Sequence, residues 1–263
     1  MQLRYILLCI GLREEWDANR RLKSKSEFEE EVSSRFSRNC YHVDNYLSKA
    51  IRKYHFQTDG SFKMLFVMPT LLDDSFINVS ECAKAQVHVS ESEIEAYRQM
   101  TGLEQRCEYY LGLLERGYEL ISRYKEIPME ALRECHDKFR QGGYKNEWLF
   151  KKLRVKEYGL RFELNCYFTM FDFRLVLSAY DLKDGSLLAE DVVLQTSPNE
   201  DAYDYKFKSV EVHGSDIVIY DFLHWEAFRI DIPSLREGRV DVRYLEYPKL
   251  EEMDRDRIAR CTW

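Results

Sequence analysis

The sequence predicts an α+β fold in which a helix-rich N-terminal part precedes an antiparallel β-meander of six to eight strands. Three observations lead to this prediction. Apolar and polar residues alternate in many short segments between Trp148 and Glu246. Short polar turns separate those segments, which favours antiparallel pairing over parallel crossovers. Before Gly142-Gly143, by contrast, apolar residues recur every three or four positions, as in amphipathic helices.

The N-terminal part opens with a short strand–helix–strand unit. Gln2–Leu12 is almost continuously apolar, which is typical of a strand covered on both faces. A helix is expected from Ser26 to Tyr54, because Ser26 and Glu29 fit a capping box and the apolar residues after them fall on one stripe. Phe62–Met68 is predicted to be the second strand of the unit.

Two further helices are expected before the glycine pair at Gly142-Gly143. The first starts with a capping box of Ser90 and Glu93 and is expected to continue to Lys125. A heptad-like seam runs along it, formed by Met100, Leu103, Cys107, Tyr110, Leu114, Gly117, Ile121 and Tyr124. We expect this seam to pack on the protein's own sheet or on a neighbouring helix, with a coiled coil in a larger assembly as the alternative. Pro128 opens the other helix.

The clearest strand of the meander is Leu160–Phe168, in which every second residue is apolar. Phe173–Ala179 repeats the pattern, and an Asp184-Gly185 turn connects it to Leu187–Leu194. Further strands are expected at Tyr205–Val212, Ile217–Phe222, Ala227–Ile232 and Val240–Leu245. A polar C-terminal tail follows them.

Composition places this chain of 263 residues among ordinary globular proteins, with 45% hydrophobic residues. It divides into residues 1–143 and 144–263, which we expect to share one core. The net charge of −7 argues against non-specific nucleic-acid binding and against an anionic membrane surface. Seven cysteines without a CxxC pair, and an apolar N-terminus without a cleavage site, predict reduced thiols and a cytoplasmic protein.

Enzyme motifs are weak in this sequence. It contains no pattern for a nucleotide cofactor or a serine hydrolase, and we expect no cofactor. The most enzyme-like set is His213, Asp216, Asp221, His224 and Glu226. These residue types suit a metal-dependent hydrolase, but a regular strand would hold His213 and His224 more than ~20 Å apart.

Cys135-His136-Asp137 places a potential nucleophile beside a base and an acid. Adjacent residues of a helix point about 100° apart, so these three side chains do not form a working triad with one another. We therefore expect Cys135 to fill apolar space and His136 to face solvent.

The stretch from Asp172 to Asp204 carries nearly all of the charge imbalance, with eight acids and two bases. Within it, a loop mixes carboxylates with tyrosines. Acids steer a basic partner and tyrosines supply rigid contact area, so we predict a protein-binding face here. Its residues are Asp172, Asp191, Glu200, Asp201, Tyr203, Asp204 and Tyr205. The ordinary alternative is a solubilising loop.

These observations favour a binding protein over an enzyme. The expected class is a stoichiometric inhibitor, such as a bacterial immunity protein that covers a basic toxin. The alternatives are a metal-dependent hydrolase that uses the hairpin histidines and a structural subunit that uses the heptad-like seam. The partner is expected to be another protein with a basic surface, and not a membrane.

Overall fold

The structure of the protein, a computed structural model, describes residues 1–11 and 27–245. In these ranges the chain forms six α-helices and twelve strands, so the predicted α+β class is confirmed. It divides into two compact units. The first contains Met1–Asn146 and Thr169–Phe171, and the second contains the rest of the described chain. Each unit encloses a cluster of buried apolar side chains.

The first unit contains four strands and four helices. They are β1 (Tyr5–Leu8), α1 (Glu27–Arg52), β2 (Met64–Thr70), β3 (Ser75–Val79), β4 (Cys82–His88), α2 (Glu91–Gln99), α3 (Leu103–Ser122) and α4 (Met129–Gln141). The strands form one sheet in the order β1-β2-β4-β3. β1 and β4 run parallel to β2, and β3 runs antiparallel to β4. The predicted strand–helix–strand unit is therefore present as β1, α1 and β2.

Side chains of α1 take the place of a neighbouring strand along the free edge of β1. Ser48 Oγ accepts a hydrogen bond from Ile6 N at 2.9 Å and donates one to Ile6 O at 3.2 Å. Asp44 Oδ2 accepts from Leu8 N at 3.1 Å, and Cys40 Sγ donates to Leu8 O at 3.0 Å. Because these side chains recur every four residues, they lie on one face of the helix. They close this edge of the sheet to other strands.

The helix predicted from Ser90 to Lys125 is in fact two helices. Its predicted start is confirmed, because Ser90 Oγ accepts from Glu93 N at 3.2 Å and the Glu93 carboxylate accepts from Ser90 N at 2.9 Å. The break follows α2, where Met100 has an extended backbone. Its carbonyl accepts guanidinium hydrogen bonds from Arg35 at 2.7 Å and from Arg106 at 2.8 Å. These bonds replace the helical hydrogen bonds that a continuous helix would require.

The heptad-like seam of α3 packs inside its own unit, as predicted. Its central residues are fully buried: Cys107, Tyr110, Leu114, Gly117 and Ile121. The fit is close at Gly117, where an added Cβ would lie 2.2 Å from Val67 Cγ2 on β2. The centre of the seam is therefore not available to a helix of another chain.

The second unit contains the remaining eight strands and two short helices. They are β5 (Asn146–Val155), β6 (Leu160–Phe168), β7 (Phe173–Asp181), β8 (Leu187–Thr196), α5 (Glu200–Tyr203), β9 (Ser209–His213), β10 (Asp216–Tyr220), β11 (Glu226–Asp231), α6 (Ile232–Arg236) and β12 (Val242–Tyr244). Two four-stranded sheets result, in the orders β5-β6-β7-β8 and β12-β11-β10-β9. The predicted meander is split because α5 and the residues after it separate β8 from β9. The strand predicted at Tyr205–Val212 starts only at Ser209.

The two sheets of this unit bury their inner faces in one apolar cluster. In β6, every second residue from Leu160 to Phe168 is buried, which confirms the predicted alternation. Ile217 and Phe228 contribute to the same cluster from the other sheet. The predicted turn after β7 is also confirmed, since Gly185 adopts the positive φ of 77° that such turns favour.

Some predictions lie outside the described residues, namely the Ser26–Glu29 capping box and the polar C-terminal tail. None of the helices in the described ranges is long and apolar enough to cross a bilayer. The six described cysteines are reduced thiols, as predicted, and Cys261 lies outside those ranges.

Candidate functional site

The short helix α5 is anchored in the core of the second unit by an aromatic stack. The ring of Tyr203 lies 3.6 Å from the ring of Phe173 at an angle of 9°, and the ring of Phe207 lies 5.6 Å from Phe173 and 6.1 Å from Tyr203. Tyr203 is only 3% exposed. The prediction that its ring contacts a partner is therefore wrong, because that ring is used to hold α5 against β7.

The three carboxylates of this segment point outward from the anchored helix. Glu200, Asp201 and Asp204 are exposed. Asn199 caps the helix by accepting a hydrogen bond from Asp201 N at 3.0 Å, which fixes the first turn. Asp204 lies 3.3 Å from Lys208, but both side chains are mostly exposed, so this pair contributes at most about 1 kcal/mol. The carboxylates therefore present negative charge from defined positions.

An exposed aromatic pair lies next to these carboxylates. The rings of Tyr205 and Phe222 are perpendicular, with centroids 6.3 Å apart, and they are held together by a hydrogen bond from Phe222 N to Tyr205 O at 3.0 Å. Tyr205 is 38% exposed and Phe222 53% exposed. We call Glu200, Asp201, Asp204, Tyr205 and Phe222 together the acid–aromatic surface.

A rigid turn presents Phe222 to solvent. Asp221 is buried, and its Oδ1 accepts hydrogen bonds from Leu223 N at 2.8 Å and Trp225 N at 2.9 Å. Asp221 N also donates to Trp225 O at 2.9 Å. Phe222 was not predicted to lie on this surface, because its sequence pattern indicates the end of a strand. The sequence does contain an indication of this turn, because Asp221 directly precedes Phe222 and aspartate often starts a turn.

Two of the predicted partner-binding acids lie on the sheet. Phe173 pairs with Thr196, so Asp172 lies at the end of β8 that leads to α5. It accepts a hydrogen bond from Gln195 Nε2 at 2.8 Å. Asp191 is exposed but lies about 16 Å back along β8, given the rise of ~3.3 Å per residue. The structure thus places Asp172, but not Asp191, toward the acid–aromatic surface.

The acidic stretch as a whole does not form one face. Asp181 and Asp184 lie at the opposite end of β7 from α5, roughly 25 Å away along the strand. Asp181 is also paired with Arg236 at 3.0 Å, a base from outside the counted stretch. The acids of this stretch are therefore distributed along the sheet, and three of them, Glu200, Asp201 and Asp204, are grouped at α5.

The hairpin histidines are closer together than the sequence predicts. The rings of His213 and His224 lie 6.1 Å and 4.5 Å from the ring of Tyr220, so the expected separation of more than ~20 Å is wrong. Tyr220 contacts both imidazoles: its ring stacks on His224, and its hydroxyl lies 3.2 Å from His213 Nε2. His213 Nε2 also lies 2.9 Å from Glu211 Oε2.

Two carboxylates of the predicted set, Asp216 and Glu226, are engaged by arginines. Arg229 contacts Asp216 at 3.1 Å and Glu226 at 2.7 Å, and Arg243 contacts Asp216 at 3.1 Å. Throughout residues 1–11 and 27–245, no three His, Cys, Asp or Glu side chains are grouped so that they could hold a metal ion.

The Cys135-His136-Asp137 sequence also has a structural role. His136 is fully buried, so its expected exposure is wrong; its Nδ1 donates to Glu115 Oε1 at 3.0 Å, and its ring packs on Tyr118. Burial raises the pKa of the Cys135 thiol to about 11, which disfavours the reactive thiolate. These residues therefore connect α4 to α3.

No protein-family model matches the chain, and no curated protein matches it. No solved structure matches it either. Similarity to known proteins therefore supports no particular function.

Proposed function

We propose that this chain is a cytoplasmic protein-binding protein that acts as a stoichiometric inhibitor of a basic partner. An immunity protein that neutralises a bacterial toxin is the class that best fits this proposal. The observation that carries it is the acid–aromatic surface, where an exposed Tyr205–Phe222 pair lies beside three outward carboxylates.

This surface combines two exposed aromatic rings with three exposed carboxylates. Aromatic residues supply much of the energy at the centre of protein interfaces. Surrounding carboxylates raise the association rate with a cationic partner and disfavour acidic ones. The net charge of −7 adds a long-range attraction toward the same cationic partner.

The rigidity of the surface supports the same proposal. The Tyr203–Phe173 stack fixes α5, and the Asp221 turn fixes Phe222. A surface that is already ordered loses little conformational entropy when a partner binds. High affinity is therefore attainable from a small patch, as a stoichiometric inhibitor requires.

Comparative affinity capture from an extract of the native host tests the proposal. The immobilised proteins are the wild type, a variant with Glu200, Asp201 and Asp204 replaced by Lys, and a control with Glu119, Glu126 and Glu130 replaced by Lys. The control residues are exposed acids of the first unit, so both variants undergo the same change in net charge.

The expected result is a basic protein that is captured at one copy per chain by the wild type and the control, and is lost from the surface variant. A partner retained equally by all three proteins would contradict the proposal. So would a partner lost from both variants, because that result would indicate an effect of net charge rather than of the surface.

A further inference from the structure

The three sheets of the described chain have six outer strands, and five of these are protected against pairing with another chain. The β1 edge is occupied by the side chains of α1. The other four carry charged residues: Lys151, Lys152 and Arg154 on β5, Glu190 and Asp191 on β8, Glu211 on β9 and Arg243 on β12. Charges on an outer strand oppose the approach of a further strand.

The sixth outer strand, β3, lacks this protection. Its sequence, Ser75-Phe76-Ile77-Asn78-Val79, contains no charged residue. Ile77 is 46% exposed and Val79 is 54% exposed, and both lie on the same face of the strand. An uncharged outer strand with exposed β-branched residues is a template for β-pairing.

The hairpin geometry shows which backbone groups of β3 are available. The two-residue turn Ser80-Glu81 has φ angles of 51° and 61°, the conformation of a type I′ turn. Val79 faces Cys82 across this turn, and residues in that position exchange both of their backbone hydrogen bonds. The pattern alternates along the strand, so the N–H and C=O groups of Phe76 and Asn78 point away from β4.

We propose that β3 pairs with β3 of a second copy of this chain, in antiparallel orientation, about a twofold axis at Ile77. In this register Phe76 exchanges backbone hydrogen bonds with Asn78 of the second copy, and Asn78 does so with Phe76. Ile77 faces Ile77 of the second copy as a non-hydrogen-bonded pair. Two four-stranded sheets thereby become one continuous eight-stranded sheet.

The absence of charge on β3 favours a second copy as the occupant. A twofold axis places the strand opposite its own sequence, so any charged residue near the axis would face a like charge and be repelled. Within Ser75–Val79 no residue meets this cost, and the exposed Ile77 and Val79 extend an apolar row across the axis. The strand is also held in position, because Phe76 stacks on Tyr124 at 4.7 Å on the opposite face.

Sedimentation equilibrium tests the proposal over protein concentrations from about 1 µM to 1 mM, a range suited to a small interface. Ile77→Lys introduces the charge that the other outer strands carry. Leu187→Lys is the control, since Leu187 is an exposed apolar residue on β8. We expect the wild type and the control to dimerise and Ile77→Lys to remain monomeric, with all three retaining the same circular dichroism spectrum. A wild type that is monomeric throughout would overturn the proposal.

A cross-linking experiment tests the register. Facing residues in a non-hydrogen-bonded antiparallel pair have Cα atoms about 4.5 Å apart, which a disulfide can span. Mild oxidation of Ile77→Cys should therefore produce a dimer linked between the two introduced thiols, as identified by peptide mass. Val212→Cys, at an exposed position on β9, should not cross-link in this way. A dimer whose introduced thiols at position 77 do not cross-link would contradict pairing about this axis.

Discussion

The ring of Tyr203 stacks on the ring of Phe173 with their centroids 3.6 Å apart. This contact joins a four-residue helix to β7, a central strand of its sheet; two exposed carboxylates lie in the helix and a third, Asp204, at its C-cap. The same short segment therefore has a structural side and an outward acidic side. The position of the exposed carboxylates therefore depends on the buried contact between Tyr203 and Phe173.

Replacing Tyr203 with Ala should destabilise the protein by about 3–5 kcal/mol, since it removes a buried aromatic ring from the core. Tyr203→Phe retains the ring and should cost at most about 1.5 kcal/mol, the contribution of one hydrogen bond. Urea unfolding of both variants measures the difference. Equal losses of stability would show that the stack with Phe173 is not what holds α5.

Ser48→Ala should lower the free energy of unfolding by about 1–3 kcal/mol. The substitution leaves Ile6 N without a hydrogen-bond partner in a buried position, and that desolvation cost is of this size. Ser122→Ala is the control, because Ser122 is exposed and donates only to Glu119 O within its own helix. Chemical denaturation should find the control within about 0.5 kcal/mol of the wild type. A similar small effect at Ser48 would show that α1 does not close the β1 edge energetically.

Two glycines of α3 should respond to alanine in opposite directions. At Gly117 the added methyl group meets Val67 on β2, so we expect a loss of about 1–3 kcal/mol from overpacking. At Gly112 nothing lies within 4 Å of the added methyl group, and alanine should stabilise the helix by up to about 1 kcal/mol. Thermal unfolding compares the two, and the double variant Gly117→Ala, Val67→Ala should recover part of the loss. Stabilisation at both positions would contradict the close packing of α3 on β2.

Acid should weaken the contact between α3 and α4. The hydrogen bond from His136, together with Arg140, lowers the pKa of Glu115 below its usual value. Because the folded-state pKa lies below the unfolded one, this contribution is present above the ordinary glutamate pKa of about 4.3 and is lost as the pH falls below it. Between pH 5 and pH 3, the urea concentration at the unfolding midpoint should therefore fall less for Glu115→Gln than for the wild type. Glu119→Gln, at an exposed position on the same helix, should keep the wild-type slope.

Local patterns predicted most of the elements in this fold. The alternation in β6, the seam of α3, the capping box at Ser90 and the Asp184-Gly185 turn each depend on neighbouring residues, and each is present. The break after α2 was not predictable in this way. It depends on Arg35, which reaches Met100 from a helix 65 residues earlier in the chain.

The candidate site was only partly predictable for the same reason. Charges counted along the sequence omit Arg236, which neutralises Asp181 from 55 residues away. Tyr203 and Tyr205 look equivalent in sequence, but only Tyr203 meets the aromatic core. Phe222 approaches Tyr205 only because β9 and β10 pair, which a linear pattern does not specify.

The most direct test of the acid–aromatic surface is calorimetric titration of the captured basic partner with wild-type protein, Phe222→Ala and Leu149→Ala. Leu149 is an exposed apolar residue on β5, so it controls for the loss of apolar area. We predict binding at one partner per chain, at least a tenfold loss of affinity for Phe222→Ala, which is about 1.4 kcal/mol, and no change for Leu149→Ala. Unchanged affinity for Phe222→Ala would contradict the claim that this surface binds the partner.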